Sequence, residues 1–218
     1  MGAAVRRSED LRFVTGRGRY VDDVVMPNLC HAVVVRSALA HARVVGIDTS
    51  AARRSPGVLA VLTAADLGQV ATPIPMRLAP LPGFDRYLQW PLAGDRVRYV
   101  GEPLALVVAE DRYAAQDAAA RVSVECEPLD AVVDPRDALA DQVLIHAASG
   151  TNIATRYRVA RGDTDAAFAS APYTRRETFR CHRHSGVPLE TRGLQKGHVR
   201  HRPRISGLPE KTGNTWNW

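Results

Sequence analysis

The sequence predicts a mixed α/β (α+β) fold, and three observations within residues 97–128 (VRYVGEPLALVVAEDRYAAQDAAARVSVECEP) carry that prediction. Residues 104–109 form an unbroken apolar run of strand length, the pattern of a strand covered on both faces. Asp111 stands where a helix N-cap belongs, and Ala114, Ala115, Ala118, Ala119 and Val122 then fall on one stripe while Arg112, Gln116 and Arg121 point elsewhere. Small side chains along that stripe let a helix lie close against a sheet. Residues 122–127 alternate, with Val122, Val124 and Cys126 on one face and Ser123, Glu125 and Glu127 on the other, until Pro128 ends the ladder. Residues 110–121 are long enough for a right-handed crossover, so the two strands are expected to be parallel neighbours.

Around this unit the chain reads as short elements. Residues 1–24 form a charged arm leading to a turn at Gly16 and Gly18 and a short extended piece. Gly16-Arg17-Gly18 lacks the third glycine and the preceding apolar strand of a dinucleotide fingerprint, which excludes a phosphate cradle there. Strands are expected at 28–35, where Val33, Val34 and Val35 are β-branched, and at 43–48 and 58–62. Thr49 or Ser50 should cap a brief helix over 51–54, and Thr63 a turn over 64–67. Residues 68–95 hold Pro73, Pro75, Pro80, Pro82 and Pro91 and read as a long irregular loop. Its apolar side chains, Ile74, Met76, Leu78, Leu81, Phe84 and Leu88 among them, imply that it packs on something. Residues 129–137 look like an edge strand and turn, 146–152 like an exposed connection, 165–170 like a short helix, and 174–183 alternate in the manner of a strand.

The chain has 218 residues, 45% of them hydrophobic, enough for a substantial core in one or two domains. No apolar run approaches the roughly 20 residues that span a bilayer, and no apolar segment follows the charges of MGAAVRRSED. The expected compartment is therefore cytoplasmic, with no membrane partner. Cys30, Cys126 and Cys181 are odd in number and far apart, the pattern of reduced, buried thiols. Of the net charge of +6, four charges lie in residues 196–218, where Lys196, Arg200, Arg202, Arg204 and Lys211 oppose Glu210 alone. The nearly neutral remainder argues against a nucleic-acid surface.

Several stretches together resemble one family: GRGRYVDD (16–23), RSALAHARVVGIDTSAA (36–52), PGVLAVLTAADL (56–67), RVRYVGEPLALVVAEDRYAAQDAA (96–119), and GDTDAAFASA through HRHSGVPLETRG (162–193). In this order they are similar to the start of the molybdopterin-binding large subunit of the xanthine dehydrogenase, aldehyde oxidase and aerobic carbon monoxide dehydrogenase family. The resemblance implies an α/β-hammerhead domain over 1–135, a linker and incomplete start of the first molybdopterin-binding domain over 136–195, and an aberrant, disordered basic tail over 196–218. It implies an oxidoreductase, a molybdenum hydroxylase that works with a molybdopterin-type cofactor and with flavin and iron–sulfur subunits. The family's molybdenum-contacting segments lie beyond the matched stretches, so no catalytic, cofactor-binding or metal residue is assigned here, and the chain alone is expected to be inactive. The alternative is a non-catalytic hammerhead module that binds partner subunits. After Gln195 the family's alternation stops, as it would after a frameshift, and the alternative frames of the encoding DNA test that expectation.

Five side chains invite a sharper reading. His182 and His184 share a strand face next to Cys181, but no second cluster lies at ligand spacing, so a metal site is not expected. His41 reads as a satisfied structural histidine. Glu102, between Gly101 and Pro103, is placed to bond backbone amides and fix a turn. Glu190, by the resemblance, would sit at the entrance to the molybdopterin domain and support a substrate channel without being catalytic.

Overall fold

A computed structural model describes residues 4–5, 7–75, 83–181, 195–199 and 202–206. The chain divides into two compact units, Asn28–Ala160 and the pair Met1–Pro27 with Arg161–Asn217. In the second unit the arm contains a one-turn helix, α1 (Asp10–Val14), where the sequence predicts a turn and an extended piece. Gly16 follows it with φ +69, a left-handed conformation open to glycine, and Phe13 stacks on Tyr20.

Among its described residues the first unit has six strands, four short α-helices and three single turns of 3-10 helix. In chain order these begin with β1 (His31–Arg36), β2 (Ala42–Asp48), α2 (Ser50–Arg53), β3 (Val58–Thr63) and α3 (Ala64–Leu67). After a long loop come β4 (Arg96–Val97), β5 (Pro103–Ala109), α4 (Arg112–Ala119), β6 (Ser123–Pro128) and α5 (Pro135–Leu139). Local chemistry sets these boundaries. The Asp48 carboxylate accepts from the Ser50 amide at 2.8 Å at the start of α2, a cap the sequence reading placed on Thr49 or Ser50. The Asp66 carboxylate accepts from the Thr63 amide and hydroxyl, both at 2.7 Å, which closes α3 and holds Asp66 below the usual carboxylate range. Asp111 caps α4 by accepting from the amides of Tyr113 and Ala114 at 2.8 and 2.9 Å.

Two antiparallel sheets result, in the orders β1-β5-β3 and β4-β2-β6. In the first, Val107 of β5 lies opposite Val33 of β1 and Val61 of β3. Helix α4 covers that face: Ala52, Val61, Val107 and Ala118 form a fully buried cluster, with Val35, Val58, Ala119 and Val122 packed against it. The other cluster joins Ala42, Ala93, Val97 and Leu104, flanked by Val44, Ile47, Val124 and Cys126.

This arrangement corrects the expectation of a parallel crossover. Strand β5 is paired antiparallel on both edges, by β1 and β3, so no edge remains for β6. The chain leaving α4 instead pairs β6 antiparallel with β2, where Val124 and Cys126 complete the second cluster. A connection of sufficient length permits a parallel pair; occupied edges forbid it. Cover on two faces is also only half right for β5: Ala105, Val107 and Ala109 are buried, whereas Leu106 and Val108 are half-buried.

Four further expectations change. Residues 129–137 hold no strand; Asp134 accepts from the Arg136 amide at 2.8 Å and Pro135 occupies the first turn of α5. Residues 138–153 are tied down, since Asn152 donates to the Ala138 and Val143 carbonyls at 3.2 and 2.8 Å, and Asp141 accepts from the Thr151 hydroxyl and the Asn152 amide. Past α6 (Thr164–Ser170), capped by Asp163, residues 174–181 lie in no strand and are exposed; 182–183 lie outside the described residues. Within 196–218, where no regular element is predicted, β7 (Gln195–Val199) and β8 (Arg202–Ser206) pair antiparallel. In the long loop, Met76, Leu78 and Leu81 lie outside the described residues, while the Ile74 amide donates to the Gln89 carbonyl at 2.7 Å.

Candidate functional site

The turn Tyr99-Val100-Gly101-Glu102 before β5 positions the groups of interest. Gly101 has φ +90, which a side chain would strain, and the Arg36 guanidinium donates to its carbonyl at 2.8 Å. Ser37 exchanges two backbone bonds with this turn, donating to the Glu102 carbonyl at 2.9 Å and accepting from the Gly101 amide at 2.8 Å. Glu102 is 5% exposed, and its carboxylate accepts from the Arg98 amide, so it fixes the turn as the sequence reading holds.

Beside this turn lies a cavity of about 280 Å³, lined by Tyr87, Gln89, Trp90, Arg98, Tyr99, Glu102 and His146 together with smaller groups. Tyr87 reaches across it, donating to the Thr151 carbonyl at 3.0 Å and meeting the His146 ring edge-on at 5.1 Å. Gln89 donates to the Tyr99 hydroxyl, and burial with the nearby Glu102 carboxylate raises the Tyr99 pKa above 10.0. Burial, then the positive charges of Arg98 and His41, push the His146 pKa below 6.5.

Among the described residues, two buried side-chain nitrogens lack partners, His41 Nε2 and Arg98 Nε. His41 is therefore only half satisfied: Nδ1 lies 2.6 Å from the Asp130 carbonyl, and the other ring nitrogen has no bond. Of the sequence-predicted residues, Glu102 lines the cavity, His41 acts electrostatically on its His146, and Cys181 is exposed elsewhere; His182, His184 and Glu190 lie outside the described residues. Cys30 is exposed and Cys126 half-buried, so the expectation of buried thiols fails for Cys30 and for Cys181; all three are unpaired in disulfide terms. Among the described residues no three His, Cys, Asp or Glu side chains gather as a metal site. Sequence reasoning missed Tyr87, Gln89, Arg98 and His146, and the paired aromatic and basic residues of RYLQW (86–90) and RYVGE (98–102) are the signal that could have found the first three.

The fold places the chain among α/β-hammerhead proteins, and residues 15–130 match the aldehyde oxidase and xanthine dehydrogenase a/b hammerhead domain. The chain belongs to that family. It is 42% identical to the nicotine 6-hydroxylase large subunit of Paenarthrobacter nicotinovorans over 88% of its length and 24% of that protein's. It is 36% identical to the xanthine dehydrogenase molybdenum-binding subunit of Escherichia coli O157:H7, over 77% of this chain and 22% of that one. Among solved structures, quinoline 2-oxidoreductase from Pseudomonas putida 86 superposes over 88% of this chain and 24% of its own, with a TM-score of 0.72 and 37% identity. The chain thus spans about a quarter of the length of the curated relatives it matches.

The cavity does not fit the family's molybdenum cofactor. Its volume is at the small end for any ligand site, and the carboxylates of Asp95 and Glu102 would face the phosphate of a molybdopterin.

Proposed function

We propose that these residues are the hammerhead-bearing segment of a cytoplasmic molybdenum hydroxylase large subunit, and that the 218-residue chain by itself performs no molybdenum chemistry. The observation that carries this reading is the hammerhead match over 15–130, joined to relatives of whose length the chain spans about a quarter. In this reading residues 1–135 are the hammerhead, 136–195 a linker leading into the first molybdopterin-binding domain, and 196–218 a basic tail. When bound to a complete subunit, the cofactor would supply the oxidation of substrate; the part played by this segment is to fold and to offer surfaces to the rest of the assembly. Purified chain should hold no stoichiometric molybdenum and should reduce no dye with an aldehyde or a purine. Stoichiometric molybdenum with turnover would overturn the proposal.

A second reading, a module that docks on flavin or iron–sulfur subunits, is favoured by one observation: Tyr157, Val159, Phe168, Tyr173 and Phe179 are each at least 68% exposed. Pull-down with those subunits from a relative separates the two. Retention of either subunit supports the module, and monomeric behaviour with both present removes it.

A further inference from the structure

Residues 138–153 form a loop bonded mainly to itself. The Asn152 side chain donates to the Ala138 and Val143 carbonyls at 3.2 and 2.8 Å and accepts from the Ile145 amide at 3.0 Å. Asp141 accepts from the Thr151 hydroxyl and the Asn152 amide at 2.7 and 2.6 Å. Attachment to the rest of the unit is slighter. Among the described residues, the hydrogen bonds that join 138–153 to residues 28–133 both come from the Tyr87 hydroxyl, which donates to the Thr151 and Ile153 carbonyls at 3.0 and 3.4 Å. The ring of the same Tyr87 meets His146 edge-on, with centroids 5.1 Å apart. Val143, Leu144, Ile145 and Ile153 are half-buried, and none belongs to either buried cluster.

The groups that face His146 oppose a charge on it. Arg98, after β4, is always positive, and His41, before β2, is positive once protonated; both act on the His146 ring. The rest of the cavity wall adds the uncharged phenols of Tyr87 and Tyr99 and two carboxylates, of which Glu102 is engaged by the Arg98 amide and Asp95 is exposed. Burial and the two basic groups prevail, and they hold the docked ring below 6.5. On the loop itself Asp141 is held below 3.8 by the Asn152 amide and the Thr151 hydroxyl.

We infer that residues 138–153 are a docked loop, clasped by Tyr87 and released as a body when His146 takes up a proton. Release carries the ring into water and away from Arg98, so the undocked loop binds the proton more tightly and acid favours it. Each pH unit by which docking lowers the His146 pKa multiplies the undocked population about tenfold, once the pH is below both values. The bonds to Asp141 persist through that range, so the loop keeps its own shape while the clasp opens. Undocking takes the His146 wall from the cavity of about 280 Å³ and frees the Tyr87 hydroxyl.

The test uses the full chain with ¹³C-labelled Tyr and His rings, followed by NMR from about pH 7.5 to about pH 5. Nuclear Overhauser contacts of the Tyr87 ring with His146 and with residues 151–153 should lose intensity in the step in which His146 titrates. The Asn152 amide and the amides of β5 should keep their protection from hydrogen exchange through that step. His146→Gln should show the same Tyr87 contacts with residues 151–153 at both ends of the range. Tyr87→Phe keeps the ring but not the two hydrogen bonds; it should weaken the contacts already at the upper pH and move the His146 pKa up towards 6.5, and it carries the test if His146→Gln does not dock. Contacts that persist unchanged while His146 titrates, loss of Asn152 protection in the same step, a pH response retained in His146→Gln, or a His146 pKa unmoved in Tyr87→Phe would overturn the inference.

Discussion

Residues 28–160 and residues 161–181 carry apolar side chains in similar sequence patterns, yet they put them to opposite use. Every hydrophobic core residue among the described residues falls between Ala42 and Ala118, while Phe168, Tyr173 and Phe179 are 68%, 75% and 82% exposed. The difference is one of partners. Strand β5 alternates between two ladders and lies under α4, whereas the alternating residues 174–181 pair with no strand and remain exposed. Periodicity says which face a segment can bury; a neighbour with a free edge decides whether it does.

The comparison breaks most directly at Val107, which is fully buried between Val33 and Val61. Val107→Asp puts an unpaired carboxylate into the cluster under α4, a cost of roughly 4 kcal/mol or more against a total stability of about 5–15 kcal/mol. Loss of the cooperative thermal transition followed by circular dichroism is the expected outcome. A variant that still melts cooperatively would show that β5 is not the centre of the unit.

A smaller effect belongs to the cap of α4. Asp111→Ala removes the acceptor for the Tyr113 and Ala114 amides and should cost about 1 kcal/mol, read as a lower urea midpoint with unchanged slope. Asp111→Asn should recover most of it, because an amide oxygen caps equally well. Equal loss in both variants would move the role of Asp111 from capping to charge.

These two residues also mark what the sequence made legible. The apolar run of β5, the Asp111 cap and the Ala115 and Ala118 stripe are local patterns, and the structure places each where its chemistry requires. Strand direction was not legible, because it depended on β1 and β3, about 45 to 75 residues earlier in the chain, having filled both edges of β5. Residues 129–137 read as an edge strand and turn, whereas Asp134-Pro135, a cap followed by a first-turn proline, starts a helix there. The cavity was illegible for the same reason as strand direction. It joins Tyr87 and Arg98 to His146, which sequence alone assigned to an exposed connection.

The acid side of the stability profile sharpens the contrast within the first unit. The pKa of His146 is lowered in the fold, so between that value and 6.5 the unfolded chain binds the proton more readily than the folded one. Stability should therefore fall as pH drops through 6.5, and His146→Gln should flatten that part of the curve in urea melts at several pH values. The carboxylates of Asp66 and Asp141 act in a lower window: both are held below 3.8 by hydrogen bonds, from Thr63 and from Asn152 and Thr151, and their contribution is lost only as pH falls through and below that value. An unchanged slope near pH 6.5 in His146→Gln would mean another group sets it.

The smallest effect is expected in the contrasting region. Phe179 is 82% exposed, so Phe179→Ser removes little buried area and should leave the stability of the first unit unchanged to within about 0.5 kcal/mol. What should change is self-association, since an exposed aromatic among Tyr173 and Phe168 is the kind of surface that drives it. Light scattering at increasing concentration reads the second effect independently of the first. A drop in the midpoint equal to that of a core truncation would show that Phe179 is covered in solution, and would join the two regions into one cooperative unit. Limited proteolysis gives the same answer from the backbone: the bonds of Asp141 and Asn152 should protect the chain through about residue 153, with cleavage beginning in 155–181. The protected segment is thus expected to extend past α5, because Asn152 ties that helix and the residues after it into one hydrogen-bonded loop.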